Sequence, residues 1–312
     1  MVWARRYSPT VARGPMGAAE VEAFHASLSN WGRWGPQDQL GALNLVTPSV
    51  TAAAAALVRT GRRVSCARPL DTAAAADNSA PVAHHMTGTA TEGYGADYVA
   101  LAPHGFATSH LDALCHIFHE GHLYNGYPTE TVTAHGATQL GIHHLRQGIV
   151  TRGVLLDVPA LSGQEALEPG TPIFPDELQA VERAAGVTVR RGDLLLVRTG
   201  RWRWRATHGP WDAATRLAGL DASCLPWLHA REVAALGSDG VSDVLPSRVP
   251  GVALPVHEVA LVAMGLHLLD NLDLEALAAV SAEEGRAEFL LVVAPLVLRH
   301  GTASPVNPIA VF

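Results

Sequence analysis

From residue 152 onward, short apolar runs alternate with stretches of helical spacing. This alternation constrains the fold more than any other feature of the chain. Arg152–Val158 (RGVLLDV), Asp193–Arg198 (DLLLVR), Val233–Gly237 and Leu266–Leu269 have the length and content of buried strands. Glu288–Leu298 (EFLLVVAPLVL) is the longest apolar run and reads as a central strand. Between them, Pro175–Ala185, Ser223–Arg231, Val256–Met264 and Leu274–Val280 read as helices. Upstream, Thr47 and Pro48 form an N-cap and first-turn pair for a helix running through an alanine run to Val58, stopped by Gly61. A strand is expected over Arg63–Ala67. Strands alternating with helices predict an α/β fold with a mixed or parallel sheet. No repeat and no low-complexity linker divides the chain. The expectation is one domain over residues 21–312, preceded by a loose arm over 1–20.

Composition removes several function classes. All 22 basic residues are arginine, so no lysine is present for Schiff-base, pyridoxal-phosphate or P-loop chemistry. A net charge of −7 argues against a nucleic-acid partner. Cys66, Cys115 and Cys224 are widely spaced and include no CxxC pair, which argues against a disulfide scaffold or a cysteine zinc site. No apolar run reaches the roughly 18 residues of a membrane span, and the first residues lack the apolar core of a secretory signal. These features predict a cytoplasmic protein with no membrane partner.

Histidine is the informative excess. Eight of the 16 histidines lie between His104 and His144, where even spreading would place about two. His110 and Asp112 are two residues apart, so on an extended segment they share a side. An imidazole and a carboxylate converging there suit Zn²⁺ or Mn²⁺, although a His-x-Asp pair is also a common hydrogen-bonded couple. His116 can reach the same pocket if the chain turns at Ala113–Leu114. Gly105, Ala107, Thr108 and Ser109 leave space for a ligand.

The segment Ser109-His-Leu-Asp-Ala-Leu-Cys-His116 resembles the signature His-x-Gly-Thr-His-x-Asp-x-Pro-x-His of the metal-dependent cyclase family, which includes bacterial kynurenine formamidases and isatin hydrolases. Gly121-His-Leu-Tyr-Asn-Gly126, Gln37–Asn44 and Ser304–Phe312 are similar to further parts of that family, so the likeness spans nearly the whole chain. It implies a swivelling β/β/α arrangement, a homodimer or homotetramer, and hydrolysis of a C–N bond in a small amide, formamide or lactam. It also implies His110 and Asp112 as metal ligands, His116 as the proton-transferring residue, and His257 with Asp270 as a second ligand pair. The chain departs from the pattern in several places. Phe106 stands where the family has its first histidine, Leu114 replaces the proline, and Asp270 replaces the usual glutamate with one extra residue in the spacing. His104 could supply the missing donor if the loop bends, and otherwise one metal on His110, Asp112 and His257 still leaves open positions.

Other candidates keep two readings. Trp31 and Trp34 line a substrate pocket or anchor the N-terminal loop. Tyr124 and Asn125 are expected to orient substrate through hydrogen bonds. His119, Glu120 and His122 read as a polar pocket rim. Asp239 ends a buried strand, where it binds ligand or caps a loop, and Arg201-Trp-Arg-Trp-Arg205 reads as a surface loop, subunit contact or anion clamp. Two alternatives to the hydrolase remain: a ring-forming or ring-opening cyclase or lyase using His116 and His119 with little or no metal, and a binding module without chemistry.

Overall fold

A computed structural model describes residues 14–312. Residues 1–13, most of the expected arm, lie outside the described residues. The first helix, α1 (Ala18–Ser27), begins within the segment expected as an arm.

Among the described residues nine strands form one mixed sheet. In chain order they are β1 (Arg63–Ser65), β2 (His110–Asp112), β3 (Ile149–Asp157), β4 (Leu194–Arg198), β5 (Ala235–Ser238), β6 (His267–Asp270), β7 (Glu288–Val293), β8 (Ala303–Pro305) and β9 (Ile309–Val311). Across the sheet the order is β1-β9-β7-β3-β4-β5-β6-β2-β8. β3, β4, β5 and β6 run parallel, and antiparallel strands extend the sheet at both sides. The four parallel strands are covered on both faces, which is why they appear in sequence as continuous apolar runs. Leu194, Leu195, Leu196 and Val197 are all buried.

The helices follow their sequence signals. α2 (Pro48–Ala55) is capped by Thr47, whose hydroxyl accepts from the Val50 N–H at 3.3 Å. α3 (Pro175–Ala185) starts on its proline, has Glu177 accepting from the Phe174 N–H at 2.9 Å, and stops at Gly186 in the left-handed region. α4 (Arg201–His208), α5 (Leu225–Ala230), α6 (Pro255–Glu258) and α7 (Glu275–Glu284) complete the α-helices of the described residues. α6 continues as a π-helix over Val259–Met264. The carbonyls of this π segment take unusual donors. Asn30 donates its backbone N–H to Ala263 and its side chain to Met264, and the Trp31 indole donates to Val262 at 2.7 Å. Trp31 is therefore an anchor for the N-terminal loop.

Two expectations change. Glu288–Leu298 is not one central strand. β7 ends at Val293, lies third from an edge, and alternates between buried and half-buried residues, while Leu296, Val297 and Leu298 are exposed. Strand length is set here by the pairing with β3, which stops at Val293↔Ile149. Residues 201–205 are not a surface loop but the start of α4, with Arg201 and Trp202 buried.

One close approach fixes the entry to β6. Gly41 (φ 58°) and Gly265 (φ 60°) meet backbone to backbone, and the Ala42 N–H donates to the Gly265 carbonyl at 2.8 Å. A Cβ on Gly41 would overlap that carbonyl, and one on Gly265 would overlap the Tyr124 ring. Gly41→Ala is expected to cost about 3 kcal/mol, read as a fall in the urea midpoint at unchanged slope, because left-handed strain adds to the overlap. A midpoint equal to wild type would refute the close-packing account.

Candidate metal centre

The register of the sheet builds the site. β2 lies between β6 and β8, with His110 opposite Asp270 on one side and Pro305 on the other. His110 and Asp112 share a face of β2, as the two-residue spacing predicts, with His110 Nε2 3.4 Å from Asp112 Oδ1. Asp112 is fully buried.

His104 also reaches Asp112. Its Nδ1 is 3.1 Å from Asp112 Oδ1, and its Nε2 is held by the Thr302 hydroxyl at 3.0 Å. Gly105 (φ 123°) makes the bend that brings His104 in. The same bend turns Phe106 away, into a small apolar cluster with Trp211, Leu254, Val241 and Leu245. His104 thus stands beside Asp112, and Phe106 does not.

The other side of Asp112 is formed by α6 and the end of β6. His257 Nε2 lies 3.7 Å from Asp112 Oδ2 and 3.1 Å from Asp270 Oδ2. Two groups of possible ligand atoms result: His104, His110 and Asp112, and Asp112, His257 and Asp270. Asp112 belongs to both, with Oδ1 facing one and Oδ2 the other.

Each histidine is oriented from behind. His110 Nδ1 is 2.8 Å from the Thr108 carbonyl, which makes Nδ1 the donor and turns Nε2 toward Asp112. His257 Nδ1 is 2.7 Å from Asp243, which also accepts from the Val256 and His257 N–H groups at 2.7 and 3.0 Å. This carboxylate–imidazole arrangement is the usual support of a metal-binding histidine. The sequence offered no signal for Asp243, because its partner lies 14 residues away across an irregular loop. His267, likewise unanticipated, is buried and hydrogen-bonds the Asp112 carbonyl at 2.8 Å.

The electrostatics fit a cation. Among the described residues neither oxygen of Asp112 has a hydrogen-bond partner, nor does His104 Nδ1. Burial alone would raise the Asp112 carboxyl, but His110 and His104 beside it hold it well below the ordinary carboxylate range. Burial likewise opposes the His110 cation, yet Asp112 outweighs it and raises the imidazole to about 9. His257 is raised well above the ordinary range against its burial, by Asp270 and Asp243. Protons on these two rings therefore balance buried carboxylates, and a metal ion would displace them.

His116 stacks on His104 with centroids 3.8 Å apart and planes 13° apart. Burial pushes its pKa down to about 4, so the ring is neutral at pH 7. Cys115 is a packed core residue, its thiol raised by burial to about 12.

The expected substrate contacts are engaged elsewhere. Tyr124 is fully buried and donates its hydroxyl to Asp38 at 2.9 Å. Asn125 donates to the Gly35 and Asp38 carbonyls and accepts from the Gly32 N–H. Both hold the loop over residues 32–38. Trp34 packs on the main core with the Arg33 guanidinium 4.8 Å from its ring centroid. Asp239 accepts from the N–H groups of Thr199, Gly200 and Arg201, so it anchors the turn into α4. Arg201 is tied to Asn271 and to the Phe106 carbonyl.

Residues 64–243 match the family model described as "Putative cyclase". The chain belongs to this cyclase family. A solved structure described as a novel cyclase is 30% identical, covering 92% of this chain and 99% of its own, with a TM-score of 0.83. Isatin hydrolase A from Ralstonia solanacearum shares the fold at 20% identity and a TM-score of 0.59, with 85% of this chain and 97% of its own covered. A predicted metal-dependent hydrolase from Bacillus stearothermophilus does so at 14% identity and 0.53, with 80% and 97% covered. No curated protein matches the chain. The α/β fold with a mixed sheet, expected from the alternation of strands and helices, is the fold observed, and it is the fold of the cyclase-family structure. His257 and Asp270 lie beyond the segment matched by the family model. No helix among the described residues is long and apolar enough to cross a membrane.

Proposed function

We propose that this cyclase-family chain is a metal-dependent hydrolase acting on a C–N bond of a small amide, formamide or lactam. One observation carries the reading. Asp112 is a fully buried carboxylate with no hydrogen bond among the described residues, and it belongs to two groups of imidazole and carboxylate donors. A charge placed so is costly unless a cation meets it. His104, His110 and Asp112 would hold one ion, and Asp112, His257 and Asp270 a second. Imidazole with carboxylate suits Zn²⁺ or Mn²⁺. Such an ion, when bound, polarises a carbonyl and makes water a better nucleophile near neutral pH.

The protein's own residues do the rest. Neutral His116 has a ring nitrogen free to take a proton from the attacking water and return it to the leaving nitrogen. Its stack on His104 places that ring beside the donor cluster. Thr108, Asp243 and Thr302 keep the three histidines turned so that His110 Nε2, His257 Nε2 and His104 Nδ1 face Asp112. The apolar cluster of Phe106, Trp211 and Leu254 adjoins the bend at Gly105 and would exclude water from one side of a small substrate.

The test is a panel of formamides, lactams and cyclic amides assayed with metal-stripped protein and after return of Zn²⁺ or Mn²⁺. Turnover that depends on the metal supports the reading, and full turnover in stripped protein refutes it. Asp243→Asn should keep the fold and weaken metal affinity by about 10–100-fold, because His257 loses the partner that fixes its tautomer. Unchanged affinity in competition with a chelator would remove Asp243 from that role.

A further inference from the structure

A second histidine cluster lies outside this centre. His25 on α1, His119 in the segment after β2, and Glu258 at the end of α6 bring ligand atoms within 4.8 Å of one another. His25 Nε2 is 3.1 Å and His119 Nδ1 3.0 Å from the same Glu258 oxygen. The two imidazoles stack face to face, with centroids 3.6 Å apart and planes 5° apart. The other nitrogen of His119, Nε2, is buried without a hydrogen bond among the described residues and sits 3.4 Å from Glu22 Oε1. Glu22, His119 and Glu120 form a further grouping of donors on that side.

A neutral imidazole carries one N–H, yet both nitrogens of His119 face carboxylate oxygens, Glu22 being 56% exposed and Glu258 26%. A metal ion accepts the lone pairs of imidazole and carboxylate together: held by His25 Nε2, His119 Nδ1 and Glu258, with one ring tilted from the stack, it leaves the His119 Nε2–H to Glu22. Two imidazoles and a glutamate form a nitrogen–oxygen donor set of the kind zinc takes, with positions left for water. The side chains are 10%, 18% and 26% exposed for His25, His119 and Glu258, so the pocket is largely withdrawn from water but open to an entering ion.

We propose that His25, His119 and Glu258 form a separate site for a zinc-class divalent ion. The site joins three segments that are distant in sequence. It clips α1 to the segment after β2, and it pins the residue that follows His257, so its occupancy bears on how α6 is held. The proposal does not depend on the hydrolase reading, because it concerns other side chains and is read by ion binding.

The test uses the full chain and two probes, Zn²⁺ stoichiometry by mass spectrometry after dialysis and Co²⁺ titration followed by visible absorption. The His25→Ala/His119→Ala variant should bind one equivalent less than wild type, with the fold checked by circular dichroism. The milder His25→Gln/His119→Gln variant serves if the alanine variant does not fold. In Asp112→Asn, which breaks both groups of the inner centre, one Co²⁺ should still bind, and adding either pair of histidine substitutions should abolish it. Equal stoichiometry and Co²⁺ affinity in wild type and the histidine variants would overturn the proposal. So would folded Asp112→Asn protein that binds no Co²⁺.

Discussion

Asp112→Asn is expected to lose metal from the inner centre and to lower turnover about 10³-fold or more. Asparagine keeps the size of the side chain but removes the charge that both donor groups share. No other carboxylate can take over, since Asp270 faces His257 only on the second side and Asp243 is spent on His257 Nδ1. A metal ion contributes several kcal/mol of transition-state stabilisation, and about 4 kcal/mol corresponds to a thousandfold in rate. Stability should report the same loss. An ion at about 100 times its Kd raises the unfolding free energy of the wild type by about 2.7 kcal/mol, and the variant should show no such gain from the inner centre. Thermal unfolding with and without added Zn²⁺, together with initial rates, checks both. A variant that keeps inner-centre metal and turns over within tenfold of wild type would remove Asp112 from the centre.

His116→Ala should also lower the rate strongly, with a fall in kcat of about 10²–10⁴-fold and metal content unchanged. The separation of the two readouts is the point of the experiment. His116 touches the cluster by stacking on His104 but is in neither ligand group. His104 remains held by Thr302 when the stacked ring is removed. Loss of metal along with rate would make His116 a structural support for His104. An unchanged rate on a true substrate would show that the proton moves by another route.

Much of this was legible in the sequence. Buried parallel strands need apolar residues on both faces, so β3, β4, β5 and β6 could be found as apolar runs. Proline, threonine and glycine at their ends marked α2 and α3. His110 and Asp112 could be paired because the period of a strand is local. The reading of residues 288–298 failed because apolar content does not set strand length; the pairing with β3 does, and Leu296–Leu298 has no such partner strand. Residues 201–205 misled because arginine is read as exposed, whereas Arg201 is buried against Asn271 and the Phe106 carbonyl. For Tyr124 and Asn125 only packing shows that Asp38, Gly35 and Gly32 engage their hydrogen-bonding groups.

The sequence by itself determined the α/β class, the family, and the residue types from which the centre is made. The tertiary structure decided which of them meet. Asp270 opposes His110 because β2 inserts antiparallel beside β6, Asp243 reaches His257 across an irregular loop, and Gly105 turns His104 in while sending Phe106 into an apolar cluster. Residue periodicity acts over a few positions, whereas these meetings depend on strand register and on left-handed backbone far from the residues they join. The same holds for His25, His119 and Glu258, which nothing in the chain's local order connects and which α1, the segment after β2 and α6 bring to a single point.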